Sequence, residues 1–378
     1  MIYFDNAATT RPNGRAVERA FEYLQDKFFN PSALYQEGLN VKNDLKQARE
    51  FLISCISNVQ DTALVFTSCG SEANNQTLFS FAKRGNCIIS AGEHSAIHET
   101  ANELKNRGIE LRIAPLNPDG TVNQEALLKL VDDKTGLVSL IHVNNETGSI
   151  NDVNSLAAAV KKINPKTVFH SDGVQAFGKI PYQMGAAVDA YSVSAHKIGG
   201  IKGVGGLFIK KKLYNVLKPY IYGGGQENGK RSGTENTFQI KQFQYAAEDK
   251  FKTLREDLQK LHELREWLWN DLDKTAFTRI STPSGSPYIL TVSVPKTRGE
   301  VLLHMLNDRG VLVGNGSACS SNAKNRFSRV ILACGIDENT ADGIIRISFS
   351  NQTTGEEVET GAKILNECAL ELKKRMNL

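Results

Sequence analysis

Five short apolar runs, each ending in a polar or glycine-rich cluster, punctuate the first two-thirds of the chain. They are Ala63-Leu-Val-Phe-Thr67, Asn86-Cys-Ile-Ile-Ser90, Leu137-Val-Ser-Leu-Ile-His-Val143, Thr167-Val-Phe-His170 and Ala190-Tyr-Ser-Val-Ser194. Their length suits buried strands, and none approaches the 18 or more residues of a membrane-spanning helix. Helical patterns separate several of them. Val41, Leu45, Ala48, Leu52 and Ile56 recur every three or four residues, and 124–131 and 153–162 also read as helices. Strands alternating with helices predict an α/β fold with a largely parallel, doubly wound sheet.

The pattern changes near 245–255. A long helix follows, with Leu254, Leu258, Leu261, Leu264, Leu268 and Leu272 on one side. Residues 288–294 read as a strand, and Val358, Ala362, Leu365, Ala369 and Leu372 stripe a last helix. From 254 onward the chain therefore reads as a second, smaller α+β domain. A length of 378 residues gives room for two to three domains.

Composition narrows the function. Lys plus Arg is 45 against 41 for Asp plus Glu, a net charge of +4. That excess is too small to argue for nucleic acid or an anionic membrane as partner. The start, Met1 to Thr10, lacks a basic segment followed by an apolar one, so no targeting signal is expected. The six cysteines, at 55, 69, 87, 319, 334 and 368, contain no C-x-x-C pair. Zinc ribbons and thioredoxin-like motifs are thereby excluded, and reduced thiols in a cytoplasmic protein are expected.

In an open α/β sheet, ligands bind beyond the carboxyl ends of the strands. Thr67-Ser-Cys-Gly-Ser-Glu-Ala-Asn74 follows a strand and opens a helix, so Gly70 and Ser71 could hold a phosphate or form an ordinary N-cap. His94 in Glu93-His-Ser-Ala-Ile97 could stack on a flat ring or move a proton, although a structural histidine is the commoner case. Asn145 in Asn144-Asn-Glu-Thr-Gly148 could hold a ring substituent, in a sequence that also suits a turn. Asp172 in Ser171-Asp-Gly-Val-Gln175 could pair with a protonated pyridine nitrogen or form an Asx-turn. Ser194-Ala-His-Lys-Ile-Gly-Gly200 brings a Schiff-base candidate, Lys197; spacing alone does not separate it from Lys202.

Gly224 to Lys230 fits the start of a nucleotide P-loop, but Arg231 stands where that motif needs Ser or Thr. Among the cysteines, Cys55, Cys334 and Cys368 lie in apolar surroundings and read as packing residues. Cys319, in Gly314-Asn-Gly-Ser-Ala-Cys-Ser-Ser321, reads as an accessible loop nucleophile or as a surface-loop cysteine with no role.

The order of these motifs resembles that of NifS/IscS-type cysteine desulfurases, in the class V aminotransferase family. The matching text is Asp5-Asn-Ala-Ala-Thr-Thr10, Asn30-Pro-Ser32, 66–75, Glu93-His94, 142–146, Asp172 to Gln175, 194–197, Gly223-Gly-Gly225 with Arg231-Ser-Gly-Thr234, and Gly316-Ser-Ala-Cys-Ser320. The chain departs from common family text at Tyr35, at 196–203, after Cys319 and at 348–352.

The resemblance implies fold type I of the enzymes using pyridoxal 5'-phosphate (PLP). It implies a large PLP-binding domain, 12–250, with a mostly parallel seven-stranded sheet, and a small domain of 1–11 and 251–378 carrying the cysteine loop. Lys197 would carry PLP, Asp172 would pair with its pyridine nitrogen, and His94 would stack on the ring. Gln175 and Asn145 would contact the phenolic oxygen. Gly70, Ser71, Ser194 and His196 would hold the phosphate, with Thr234 reaching in from a second subunit of a homodimer. Arg346, helped by Asn30, would clamp the substrate carboxylate. The implied activity converts L-cysteine to L-alanine and leaves a persulfide on Cys319 for a sulfur acceptor, such as an iron–sulfur scaffold or a tRNA-thiolation enzyme. No metal is implied. The nearest alternatives are a selenocysteine lyase or a plain aminotransferase of the same class, the latter disfavoured by Cys319.

Overall fold

The computed structural model describes residues 1–315 and 326–378, so Cys319 lies outside the described residues. All five expected runs form strands of a single seven-stranded sheet. Its spatial order is Thr62–Thr67, Gly205–Lys210, Ala190–Ser194, Val168–Asp172, Thr135–Ile141, Asn86–Ser90 and Glu110–Ala114. The last five are mutually parallel. Gly205–Lys210 runs antiparallel to both of its neighbours.

The central strands are buried throughout. Helices Gly70–Phe81, Ser95–Asn106 and Val153–Ile163 connect strands of this sheet. Each presents an apolar face, for example Val153, Leu156, Ala157 and Val160. Burying these stripes against the sheet supplies the main driving force for this layer.

A second, five-stranded sheet has the order Ile2–Phe4, Val311–Asn315, Ile344–Ser348, Ile289–Ser293 and Thr278–Arg279. The first two are parallel and the remainder antiparallel. Helix Gly355–Arg375 opens on a capping box, Thr354 with Glu357, and buries Val358, Ala362, Leu365, Ala369 and Leu372, the stripe expected from sequence.

The leucine-striped helix is longer than expected, running from Thr237 to Asp271. Its first half buries Ile240, Phe243 and Ala247 in the core of the seven-stranded sheet. Its second half buries Leu261, Leu264 and Leu268 in the core of the five-stranded one. One rigid rod thus belongs to both cores.

Candidate active site

The chain's first residues cross from the small sheet to the large one. Asp5 forms a bridge with Ser348, and the Ser348 hydroxyl accepts from Ala7 N at 2.8 Å. Thr10 then binds the His196 carbonyl through its amide (2.9 Å) and its hydroxyl (2.8 Å). The intervening carbonyls of Ala7 and Ala8 both accept from Lys197 Nζ, each at 2.7 Å. Lys197 ends a short 3-10 turn directly after Ala190–Ser194, at the carboxyl edge of the sheet.

Asp172 ends the neighbouring strand and is 3% exposed. Its Oδ2 accepts from Asn74 Nδ2 at 2.7 Å, and its Oδ1 from Val174 N at 3.0 Å. Asn74 lies on helix Gly70–Phe81, so this bond ties the helix to the strand end. The Val174 contact has the form of the Asx-turn expected at Asp172.

His94 caps helix Ser95–Asn106, its Nδ1 accepting from Ala96 N at 3.1 Å. That contact leaves the ring proton of the neutral form on Nε2. Burial, with Lys197 and Arg329 nearby, pushes its pKa down, against an opposing pull from Asp172. His94 is therefore a neutral ring at pH 7.

The turn at Gly70 is not an ordinary cap. Cys69 precedes the helix in extended conformation and offers no side-chain cap, while Ser71 lies exposed in the first turn. The first helical amides consequently lack a side-chain acceptor, the condition that favours an anion. Gly70 is required here: a Cβ would stand 2.6 Å from Val174 Cγ2 and 3.6 Å from Ser194 Cβ. Ser194 is buried beside it, and its Oγ has no partner among the described residues. His196 Nδ1 lies 3.1 Å from Thr9 Oγ1, and burial lowers its pKa to about 4.

Arg346 projects from the small sheet and is 7% exposed. It donates to Asn145 O at 2.9 Å and to Asp5 Oδ1 at 2.8 Å, while its Nε has no partner among the described residues. Gly314 leaves room for this pair, because a Cβ there would lie 2.6 Å from Asp5 Oδ1. Gln175 donates to Ala7 O at 2.8 Å and accepts from Lys179 Nζ at 2.8 Å.

Two expected residues stand apart. Asn30 is exposed in a local turn, accepting from Ser32 N at 2.9 Å, and no described hydrogen bond ties it to Arg346. Thr234 is also exposed; its segment is anchored one turn earlier, where Arg231 pairs with Glu72 at 3.1 Å. The P-loop resemblance fails in three dimensions. No strand leads directly into Gly224, since helix Lys211–Tyr214 and irregular chain follow strand Gly205–Lys210, and Glu227 and Asn228 adopt positive φ in a tight turn held by Arg49.

Sequence reasoning missed the partners that hold the site. Asn74, Asp5 and Lys179 were given no role. Arg329 was also overlooked. It donates to the carbonyls of Ala91 and Glu93, fixing the turn that carries His94.

Do these residues fit PLP? An unpartnered buried hydroxyl at Ser194 beside open helical amides suits a phosphate. A buried carboxylate at a strand end suits a pyridinium, and a lysine lies on the adjacent strand's edge. The donor set fits.

A fold-type I sheet with a lysine and an aspartate on neighbouring strand ends defines the class, and the comparisons agree. The chain belongs to the class-V aminotransferase family, which it matches over residues 2–360. Within it, the chain is 33% identical to a protein named cysteine desulfurase IscS from Dictyoglomus turgidum, covering 98% of this chain and 95% of that one. Among solved structures it is similar to a NifS-like protein, with TM-score 0.90 and 35% identity over 98% of this chain and all of the other. It also resembles SspA, solved in complex with cysteine, at TM-score 0.81 and 26% identity, over 94% of this chain and all of the other.

Proposed function

We propose that this protein is a PLP-dependent cysteine desulfurase. Overall, L-cysteine and the Cys319 thiol become L-alanine and a Cys319 persulfide: the substrate's C–S bond breaks and an S–S bond forms. The observation that carries the reading is the convergence of Lys197, Asp172 and neutral His94 beside the unpartnered Ser194 hydroxyl.

Lys197 would hold the cofactor, Asp172 its ring nitrogen, Gln175 and Asn145 its phenolic oxygen, and Gly70, Ser71, Ser194 and His196 its phosphate. When bound, PLP supplies an electron sink for charge developing at the substrate. Arg346 binds the substrate carboxylate through its guanidinium fork. Asn30 assists from the exposed turn. His94, with its proton on Nε2 and a depressed pKa, is ready to hold and pass a proton. The Cys319 thiolate receives the sulfur.

The same proposal assigns 12–250 to a PLP-binding domain and 1–11 with 251–378 to a small domain. It includes a homodimer in which Thr234 completes the partner's phosphate site. Among the exposed large apolar side chains are Phe28, Leu34 (90% exposed), Tyr35 and Tyr222. A sulfur acceptor, such as an iron–sulfur scaffold or a tRNA-thiolation enzyme, would take the persulfide in the cytoplasm. No helix among the described residues is long and apolar enough to cross a membrane.

An absorbance scan with added PLP, followed by L-cysteine, tests the reading. A visible band, alanine release and a 32-Da gain on Cys319 are expected (the mass of one sulfur atom, about 32 Da). Lys197→Ala should lose the band. Cys319→Ala should keep it and form no persulfide; full sulfur transfer by that variant would sink the scheme.

A further inference from the structure

The turn that follows Asp172 contains a buried amine with no part in the scheme above. Lys179 is 2% exposed, and its Nζ donates to Gln175 Oε1 at 2.8 Å. Its charged neighbours Lys197, Lys250 and Arg346 are all basic. The Tyr288 ring lies 5.5 Å from Lys179 Nζ and 5.4 Å from Lys250 Nζ. Lys250 is matched by Asp257 at 3.0 Å. Burial among like charges drives the Lys179 amine well below the ordinary lysine range. The amine can donate to Gln175 in either protonation state.

A glutamine amide has one acceptor end and one donor end. Lys179 occupies the acceptor end. The donor end faces Ala7 O at 2.8 Å, the carbonyl that also accepts from Lys197 Nζ at 2.7 Å. Reversing the amide would set Oε1 against the Ala7 oxygen and the NH₂ against the Lys179 donor. Both contacts would be lost together, leaving buried polar groups unpaired. The second N–H of Gln175 remains for the crevice.

We propose that Lys179 is a positioning residue that locks the Gln175 amide with its donor face toward Lys197 and the ring-binding crevice. Its effect on the cofactor rests on the PLP reading; its contact with Gln175 does not. An anionic ring oxygen beside Lys197 then meets a donor and not the amide oxygen.

The test is a double-variant cycle of Lys179→Met and Gln175→Leu. In the PLP-loaded protein, the pH midpoint of visible absorption should rise by about one unit in Lys179→Met, the worth of one charge-assisted hydrogen bond. The same change made in the Gln175→Leu background should leave the midpoint in place. Lys179→Arg, which restores the donor with a fixed charge, should return it to the wild-type value or below. In the cofactor-free protein, Lys179→Met should lower the urea midpoint less in the Gln175→Leu background than in wild type. Equal effects in both backgrounds, on either readout, overturn the proposal. A wild type with no visible band overturns the PLP reading, and the cofactor-free cycle still decides the lock. If Lys179→Met does not fold, Lys179→Ala, which also removes the donor, takes its place in the same cycle.

Discussion

Asn74 donates its side-chain amide to Asp172 Oδ2 at 2.7 Å, joining the first turns of one helix to the end of a central strand. The bond keeps a buried carboxylate satisfied while its edge faces the crevice. Asn74 is itself buried, with Oδ1 unpartnered. Replacing it removes a donor that no solvent replaces. Asn74→Ala should cost about 1.5–3 kcal/mol of stability, the range for a hydrogen bond to a charged group. Urea unfolding at pH 7 measures it. Asp172→Ala should additionally lose most PLP affinity, read by dialysis of the reconstituted protein; full retention would remove Asp172 from the cofactor site.

Arg346 is held by one carbonyl and one carboxylate, and its fork is the group offered to substrate. A lysine keeps the charge and loses the planar fork. Arg346→Lys should raise the KM for L-cysteine by roughly tenfold or more, with a smaller change in kcat. Asp5→Asn should act in the same direction more weakly, because Asn145 O still orients the guanidinium. Alanine formation across a cysteine titration separates KM from kcat. An unchanged KM in Arg346→Lys would place substrate recognition elsewhere.

The strands that sequence reading found were those with continuous apolar runs, because both faces of a central parallel strand are buried. Two strands of the same sheet escaped it. Glu110–Ala114 is an edge strand with a mostly open pattern, and Gly205–Lys210 begins with two glycines. Both glycines are there for close packing: a Cβ on Gly205 would meet Cys69 C at 2.7 Å, and one on Gly206 would meet Leu64 Cδ1 at 2.7 Å. The helix from Thr237 to Gln244 was hidden for another reason. It packs Lys241, Gln242 and Gln244 inside, so apolar spacing did not mark it. At the site, residues with intrinsic chemistry were visible, such as Lys197, Asp172 and His94. Their partners were not. Asp5 and Arg346 are 341 positions apart, and Asn74 and Asp172 are 98 apart. No local pattern encodes contacts between residues this far apart in the chain, which are made only when the tertiary structure assembles.

Glu93 gives a pH prediction with a definite sign. It is buried, accepts from Ile141 N at 2.9 Å and from Ser90 Oγ, and leaves Oε2 unpartnered. Burial raises its pKa from 4.5 to about 8, so the folded protein holds this proton where the unfolded chain releases it. Its contribution is full below 4.5 and is lost as pH rises from 4.5 to 8. The buried histidines act oppositely. His142 and His170 are depressed by burial to about 4 and about 3, so acid below 6.5 favours unfolding. Glu93→Gln keeps an acceptor oxygen and removes the titration. Relative to wild type, it should gain roughly 3–4 kcal/mol between pH 5 and pH 8. Parallel urea-stability profiles for the two proteins across that window would contradict the assignment.

Gly173 sits between Asp172 and the helical turn of Gln175, and its amide donates to Ser192 O at 2.9 Å. A Cβ there would fall 1.9 Å from Tyr191 Cζ and 2.4 Å from its hydroxyl. The Tyr191 ring has nowhere to go. It is fully buried, stacked on Tyr182 at 4.8 Å, and bound through its hydroxyl to His142 Nδ1 at 2.8 Å. Gly173→Ala must therefore displace either the ring or the strand end that carries Asp172. Overpacking of this kind costs about 3 kcal/mol or more when the neighbours are themselves locked. The variant should melt well below wild type and, where it folds, bind PLP more weakly, because Asp172 moves with the backbone. Adding Tyr191→Phe removes the hydroxyl contact and part of the clash, and should recover some of the lost melting temperature. No recovery would mean that the strand end, and not the ring, gives way.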